Sequence, residues 1–195
     1  MATEMYVNIH THRPTPDAIC PSQAGIHPWH AARRQIDMQA MIQAEMIGEI
    51  GLDYAAAADR HVQQHLFREQ LAIAQRLRKP VVVHCVRAFE PTMEILKEYD
   101  LPGVVFHGFI GSPEQAATAV GKGYFLSFGL RTFRSPKTMR ALRQTPAGSV
   151  FCETDDDPVT IEEIYDMVAR ERKTSIEQLA AQIMDNYKKL FCIDE

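Results

Sequence analysis

Val81-Val82-Val83-His84 is a short β-rich run. It follows a long helical pattern over 59–77 and ends on a histidine. That helical pattern places Val62, Leu66, Leu71, Ile73 and Leu77 on one face and glutamines on the other, so it reads as the longest amphipathic helix of the chain. The same rhythm, a short strand and then a longer helix, extends in both directions. Strands are expected at Met5–His10, Ser22–His27, Met46–Leu52, Val81–His84, Val104–His107, Tyr124–Phe128 and Ser149–Glu153. Alternation of this kind builds a parallel sheet, and the fold class is α/β.

Cap chemistry marks the helix starts. Ser112-Pro113-Glu114-Gln115 combines an N-cap, a proline at the first helical position and a partner three residues on. Thr160 with Glu163 and Ser175 with Gln178 repeat the pattern, so two closing helices are expected at Ile161–Arg172 and Ile176–Phe191. The chain has 195 residues, 46% hydrophobic and 24% charged, which suits a globular core and excludes disorder. No linker or repeat interrupts it, and one domain over 1–195 is expected.

No apolar run reaches the ~20 residues of a membrane helix, and 1–6 lacks a secretory pattern, so the expected location is the cytoplasm, away from membranes. Cys20, Cys85, Cys152 and Cys192 contain no Cys-x-x-Cys pair, which suggests neither a disulfide framework nor a zinc ribbon. The net charge of −4 argues against a protein that wraps duplex nucleic acid over its whole surface. A local basic segment nevertheless stands out. Between Glu114 and Glu153 there is no acidic residue, while Lys122, Arg131, Arg134, Lys137, Arg140 and Arg143 all occur. It reads either as a solvated helix face or as an anion-binding loop.

His10, Glu49, His84, His107 and Asp155 each lie at or just past the carboxyl end of an expected strand, the edge where parallel α/β folds assemble active sites. His10 and His12 are two apart, so both imidazoles can face one ion. Six nitrogen and oxygen ligands exceed one open tetrahedral ion. Two divalent ions sharing a carboxylate fit the count, an arrangement that recurs in phosphate-ester hydrolysis.

Several stretches together resemble the TatD family of metal-dependent hydrolases. They are Gly48-Glu49-Ile50-Gly51-Leu52-Asp53-Tyr54, Gln63 to Phe67, Pro80 to Cys85, His107-Gly108-Phe109 with Gly111, Glu153-Thr154-Asp155, Gly25-Ile26-His27-Pro28 and Asn186 to Phe191. The resemblance implies a TIM-like (β/α) barrel and deoxyribonuclease activity of the 3′ to 5′ exonuclease type, with single-stranded DNA or DNA ends as substrate and no obligate protein partner. It also implies a dinuclear centre of magnesium, manganese or zinc. His10 and His12 would hold the first ion with Asp155, Glu49 would bridge, and His84 and His107 would hold the second. Glu49 and Asp155 would be catalytic, with Asp155 taking the proton of a metal-activated water. His27 and Arg87 would meet the substrate, and Asp53 would support the ligands from behind; Arg131, Arg134 and Lys137 follow an expected strand end, which places them to draw a polyanion toward the site or leaves them on a solvated surface loop.

The chain departs from the family in ways that matter. A full barrel takes about 250 residues. The segment 13–23 is too short for the helix, strand and helix that relatives carry there, so a shortened barrel of about seven strands with an open or distorted seam after the first is expected. The loop after Asp157 is also reduced. Val86 stands where an arginine is usual, with Arg87 following; Ile110 replaces a serine; Trp29 replaces a histidine. Two other readings fit the same residues: a hydrolase of a small neutral substrate such as a lactone, amide or base, and a non-catalytic scaffold stabilised by metal.

Overall fold

A computed structural model describes residues 6–33 and 35–193. Its packing divides the chain into two compact units, Met1–Pro21 with His107–Glu195, and Ser22–Phe106. Both alternate parallel strands with helices, as the sequence pattern requires.

In the first unit the strands are β1 (Tyr6–Val7), β2 (Ala18–Ile19), β7 (Phe125–Phe128) and β8 (Val150–Cys152). The helices are α4 (Pro113–Val120), α5 (Pro136–Gln144), α6 (Ile161–Arg172) and α7 (Ile176–Phe191). β1 pairs in parallel with β2, and β7 with β8. The Ile9 amide donates to the Cys152 carbonyl at 3.2 Å and a parallel bridge joins Thr11 to Asp155, which brings the end of the first strand beside the end of the last. Tyr165 locks that junction from α6. Its hydroxyl accepts from Val7 N at 3.1 Å and donates to Val7 O at 3.0 Å, with the ring fully buried. From α7, Asn186 donates to the carbonyls of Ala147 and Val150, which fixes the turn into β8.

The second unit holds β3 (Gln23–Ala24), β4 (Met46–Asp53), β5 (Val81–Val86) and β6 (Val104–Phe106), paired in parallel in that order. A 3₁₀ turn over Pro28–Arg33 and α1 (Met38–Gln43), α2 (Arg60–Leu77) and α3 (Phe89–Leu96) complete it. The register of β4 against β5 shifts between Ile47 and Ile50, so the strand is irregular at Gly48-Glu49. Gly51 is a required glycine: its φ is +144°, and a Cβ there would lie 2.0 Å from the His84 carbonyl oxygen.

Several expectations are met closely. The final two helices have the expected bounds, and all three capping boxes form. Others are corrected. The strand at Ala18–Ile19 adds one to the seven expected, because backbone pairing with β1 makes a two-residue strand that no apolar run announces. The strand expected at Ser22–His27 shrinks to Gln23–Ala24, as Pro28 starts a 3₁₀ turn close behind it. Met5, the expected start of the first strand, lies outside the described residues. The glutamine face of α2 is not wholly solvated, since Gln63 and Gln70 are buried while Val62 is exposed. Each glutamine clamps backbone: Gln63 bonds the Asp53 N–H and C=O, and Gln70 bonds those of Ile26.

Candidate metal centre

The first unit gathers His10, His12, His107, Glu153 and Asp155 at its strand ends. The Asp155 amide donates to the His10 carbonyl at 3.1 Å and the His12 amide to the Asp155 carbonyl at 3.0 Å, so the Asp155 peptide is threaded between the two histidines. Asp155 has φ +52°, and its Oδ1 faces both rings, 3.7 Å from His10 Nε2 and 3.4 Å from His12 Nε2. Asn8, Thr154 and Thr11 brace this turn through a chain of side-chain bonds. His107 packs its ring on that of His10, centroids 4.4 Å apart, and turns Nδ1 to Glu153 Oε1 at 3.4 Å.

The second unit gathers His27, Glu49 and His84. His84 Nδ1 lies 3.5 Å from Glu49 Oε2, and His27 Nε2 lies 3.8 Å from the same oxygen. Behind His84 stands Asp53, 4% exposed, whose Oδ2 meets His84 Nε2 at 3.2 Å and accepts from Trp29 Nε1 at 2.6 Å. Its Oδ1 accepts the amides of Ala55 and Ala56. Burial works to raise the Asp53 pKa, but the bonds from Trp29, His84 and Ala55 outweigh it and hold the carboxyl below its ordinary value. A carboxylate on Nε2 keeps the proton there and leaves the Nδ1 lone pair toward Glu49, the usual way a metal-binding histidine is oriented.

These distances suit a cation. Nitrogen and oxygen ligands at ~2.0–2.2 Å from a tetrahedral ion stand roughly 3.3–3.6 Å apart. A strong ionic hydrogen bond would be about 2.7–2.9 Å. The pairs on Asp155 and Glu49 fall at or near the wider spacing. His10, His12 and Asp155 form one group able to hold an ion, and His27, Glu49 and His84 another. His27 differs from its neighbours, because its Nδ1 accepts the Trp29 amide at 3.1 Å. The neutral ring therefore presents N–H at Nε2, a donor rather than a ligand.

The basic residues are placed less specifically. Arg131 is exposed and pairs with Asp156 Oδ1 at 3.0 Å, with Asp155 Oδ2 at 3.9 Å. Arg134, Lys137 and Arg87 are exposed, Arg87 in the left-handed region just past β5. Cys85 and Cys152 turn from the strand ends as alternation demands. Cys85 Sγ donates toward Thr92 of α3, burial pushes its pKa up to about 11, and burial pushes Cys152 up as well, so both stay as thiols. Sequence alone assigns Glu153 no role and marks Trp29 only as a replacement for a usual histidine. The indole N–H bond to Asp53 spans 24 residues, which no local pattern signals.

Residues 8–192 match the family described as TatD related DNase. The chain belongs to this family of metal-dependent hydrolases. It is 31% identical to the "3′-5′ ssDNA/RNA exonuclease TatD" of Pantoea ananatis over 88% of this chain and 78% of that protein. It is 32% identical to the "uncharacterized metal-dependent hydrolase YcfH" of Escherichia coli K12 over 76% of this chain, and 30% identical to human "deoxyribonuclease TATDN3" over 74%. Those alignments span 63% and 59% of the two relatives. The crystal structure of YJJV, a TatD homolog from Escherichia coli K12, superposes with a TM-score of 0.79 at 27% identity, covering 90% of this chain and 78% of that one. The fold is therefore the α/β, TIM-barrel-like fold of the TatD family in a shortened form. Among the described residues, no helix is long and apolar enough to cross a membrane.

Proposed function

We propose that this TatD-family member is a nuclease that removes nucleotides from the 3′ end of single-stranded DNA or RNA, with both units acting as one hydrolase domain. The observation that carries it is the convergence of the His10 and His12 imidazoles on Asp155 Oδ1 in the first unit, with His84 Nδ1 facing Glu49 Oε2 in the second, at ligand-edge spacings. The TatD exonuclease name of the Pantoea relative supports the substrate class. In this reading His10, His12, His107 and Asp155 are ligands in the first unit, and Glu49 and His84 in the second. A bound divalent ion supplies Lewis acidity, lowering the pKa of water and neutralising phosphate oxygens.

The chain's own residues do the rest. Asp155, whose carboxylate faces His10 and His12, would accept the proton of the attacking water. Asp53 holds the tautomer of His84, and Trp29 holds Asp53. His27 offers its Nε2–H to a phosphate oxygen. Arg131 is tied to solvent-exposed Asp156, a pair worth ~0–1 kcal/mol, so a phosphate displaces Asp156 at little cost. Arg134, Lys137 and Arg87 add positive charge for a polyanion. A cytoplasmic site of action belongs to the same proposal.

Metal-stripped protein, resupplied in turn with magnesium, manganese and zinc, tests it on oligonucleotides with a free or a blocked 3′ end. Stepwise shortening of the free-ended strand only, abolished by chelator, is expected. Equal cleavage of the blocked strand contradicts the exonuclease reading, and no cleavage by folded, metal-loaded protein contradicts the nuclease reading altogether.

A further inference from the structure

Trp29 is mounted the wrong way round for a surface residue. Among the described residues it is the most exposed large hydrophobic side chain, at 62%, yet its one polar side-chain atom points inward: Nε1 donates at 2.6 Å to Oδ2 of Asp53, which is 4% exposed. Amphipathic side chains ordinarily bury the apolar body and leave the polar tip in water. Here the order is reversed, and the indole offers its carbon surface to solvent. A donor to Asp53 alone would not need that surface, since a histidine or glutamine N–H also bonds a carboxylate. The indole is also held still. The Trp29 amide donates to His27 Nδ1 at 3.1 Å, and the residue sits in the 3₁₀ turn Pro28–Arg33, directly after the buried Pro28. The rings of His27 and His84 stand 4.6 and 6.4 Å away, at 77° and 75° to the indole, so neither stacks flat on its face. A ring fixed before binding loses little freedom when a ligand covers it.

We propose that Trp29 is a stacking platform for one base of the single-stranded substrate, next to the phosphate met by His27. The proposal rests on the nuclease reading above and adds the subsite that holds the base. Every base has a π-face, so an aromatic platform binds with little sequence preference, which suits an enzyme that steps along a strand. The same ring links the base to the site behind it, because the indole N–H steadies Asp53 and Asp53 orients His84.

Trp29 is the single tryptophan of the chain, so its fluorescence reports this position alone. The metal-restored full chain is titrated with a phosphorothioate-linked oligonucleotide, which resists hydrolysis, and with copies carrying one abasic site at successive positions from the 3′ end. The intact strand is expected to quench the fluorescence. An abasic site at one position is expected to relieve the quenching and to weaken binding by about 5- to 150-fold. Trp29→Leu is expected to abolish that preference for the intact strand, whereas Trp29→Phe, which lacks the N–H but keeps an aromatic face, retains part of it. A Trp29→Leu protein that binds intact and abasic strands more weakly by one common factor overturns the proposal, because Trp29 then acts only through Asp53. Unchanged fluorescence at saturation with the intact strand also overturns it, and that measurement on the wild type decides the matter even where the variants fail to fold. A wild type that binds and cleaves oligonucleotides with equal affinity for intact and abasic strands sinks this proposal alone. A wild type that neither binds nor cleaves them sinks the nuclease reading with it.

Discussion

Asp53→Asn is the most informative small perturbation, because all four neighbours of Asp53 are donors. Oδ1 accepts the Ala55 and Ala56 amides, and Oδ2 accepts Trp29 Nε1 and His84 Nε2. Asparagine has one acceptor oxygen and an amide that must face the other two donors. If the oxygen stays with the Ala55 turn, the amide confronts Trp29 and His84, and His84 must move its proton to Nδ1, the atom facing Glu49. If it turns toward His84, the two backbone amides lose their acceptor. Either way two bonds to a charged acceptor go, a loss of roughly 2–4 kcal/mol in stability, and each kcal/mol moves Tm by about 2–4 °C in a chain of this size. In the first orientation zinc or manganese affinity falls ~10–100-fold as well. Calorimetric titration and thermal scans of the metal-stripped protein measure both. Unchanged affinity together with unchanged Tm would refute the claim that Asp53 orients His84.

Asp53 also carries a pH signature. Its folded pKa is depressed, so it contributes stability above the ordinary carboxylate range that is lost as pH falls through the folded value; the stability gap between wild type and Asp53→Asn should narrow as pH falls below the ordinary carboxylate value of about 4, and a constant gap would contradict it. Gly51→Ala puts a methyl into the His84 carbonyl and should cost more than about 4 kcal/mol, read as loss of cooperative unfolding or of soluble protein. Tyr165→Phe strands the Val7 N–H and C=O and should cost ~1–3 kcal/mol by urea denaturation, with an unchanged midpoint contradicting the proposed lock. Arg131→Ala with Arg134→Ala should raise KM for oligonucleotides more than for a small phosphodiester, and equal effects would remove both arginines from polymer binding.

Helix ends and strand-end histidines were legible because their causes are local. Ser112, Thr160 and Ser175 each bond an amide three residues on, and a pattern that short is visible in the sequence. His10, His84 and Asp155 were legible for a related reason, since the carboxyl end of a parallel strand is a position that the apolar run itself marks. What stayed hidden depends on distant pairing. The Ala18–Ile19 strand exists only through its partner at Tyr6–Val7, and Gln63 and Gln70 look like surface residues until the backbone they clamp is in place. Trp29 and Glu153 belong to the same class. Their roles come from Asp53, 24 residues away, and His107, 46 residues away, and neither separation leaves a periodic trace.

The central claim is that strand-end carboxylates and imidazoles hold the ions that hydrolyse a nucleic-acid end. Cleavage of 5′-labelled single-stranded DNA by metal-restored wild type and by Glu49→Gln, with folding of both verified by circular dichroism, tests it most directly. A ladder of shortened 5′-labelled products from the wild type, with turnover lower by at least ~10²-fold in the variant, is the predicted result. Equal ladders from the two proteins would contradict it.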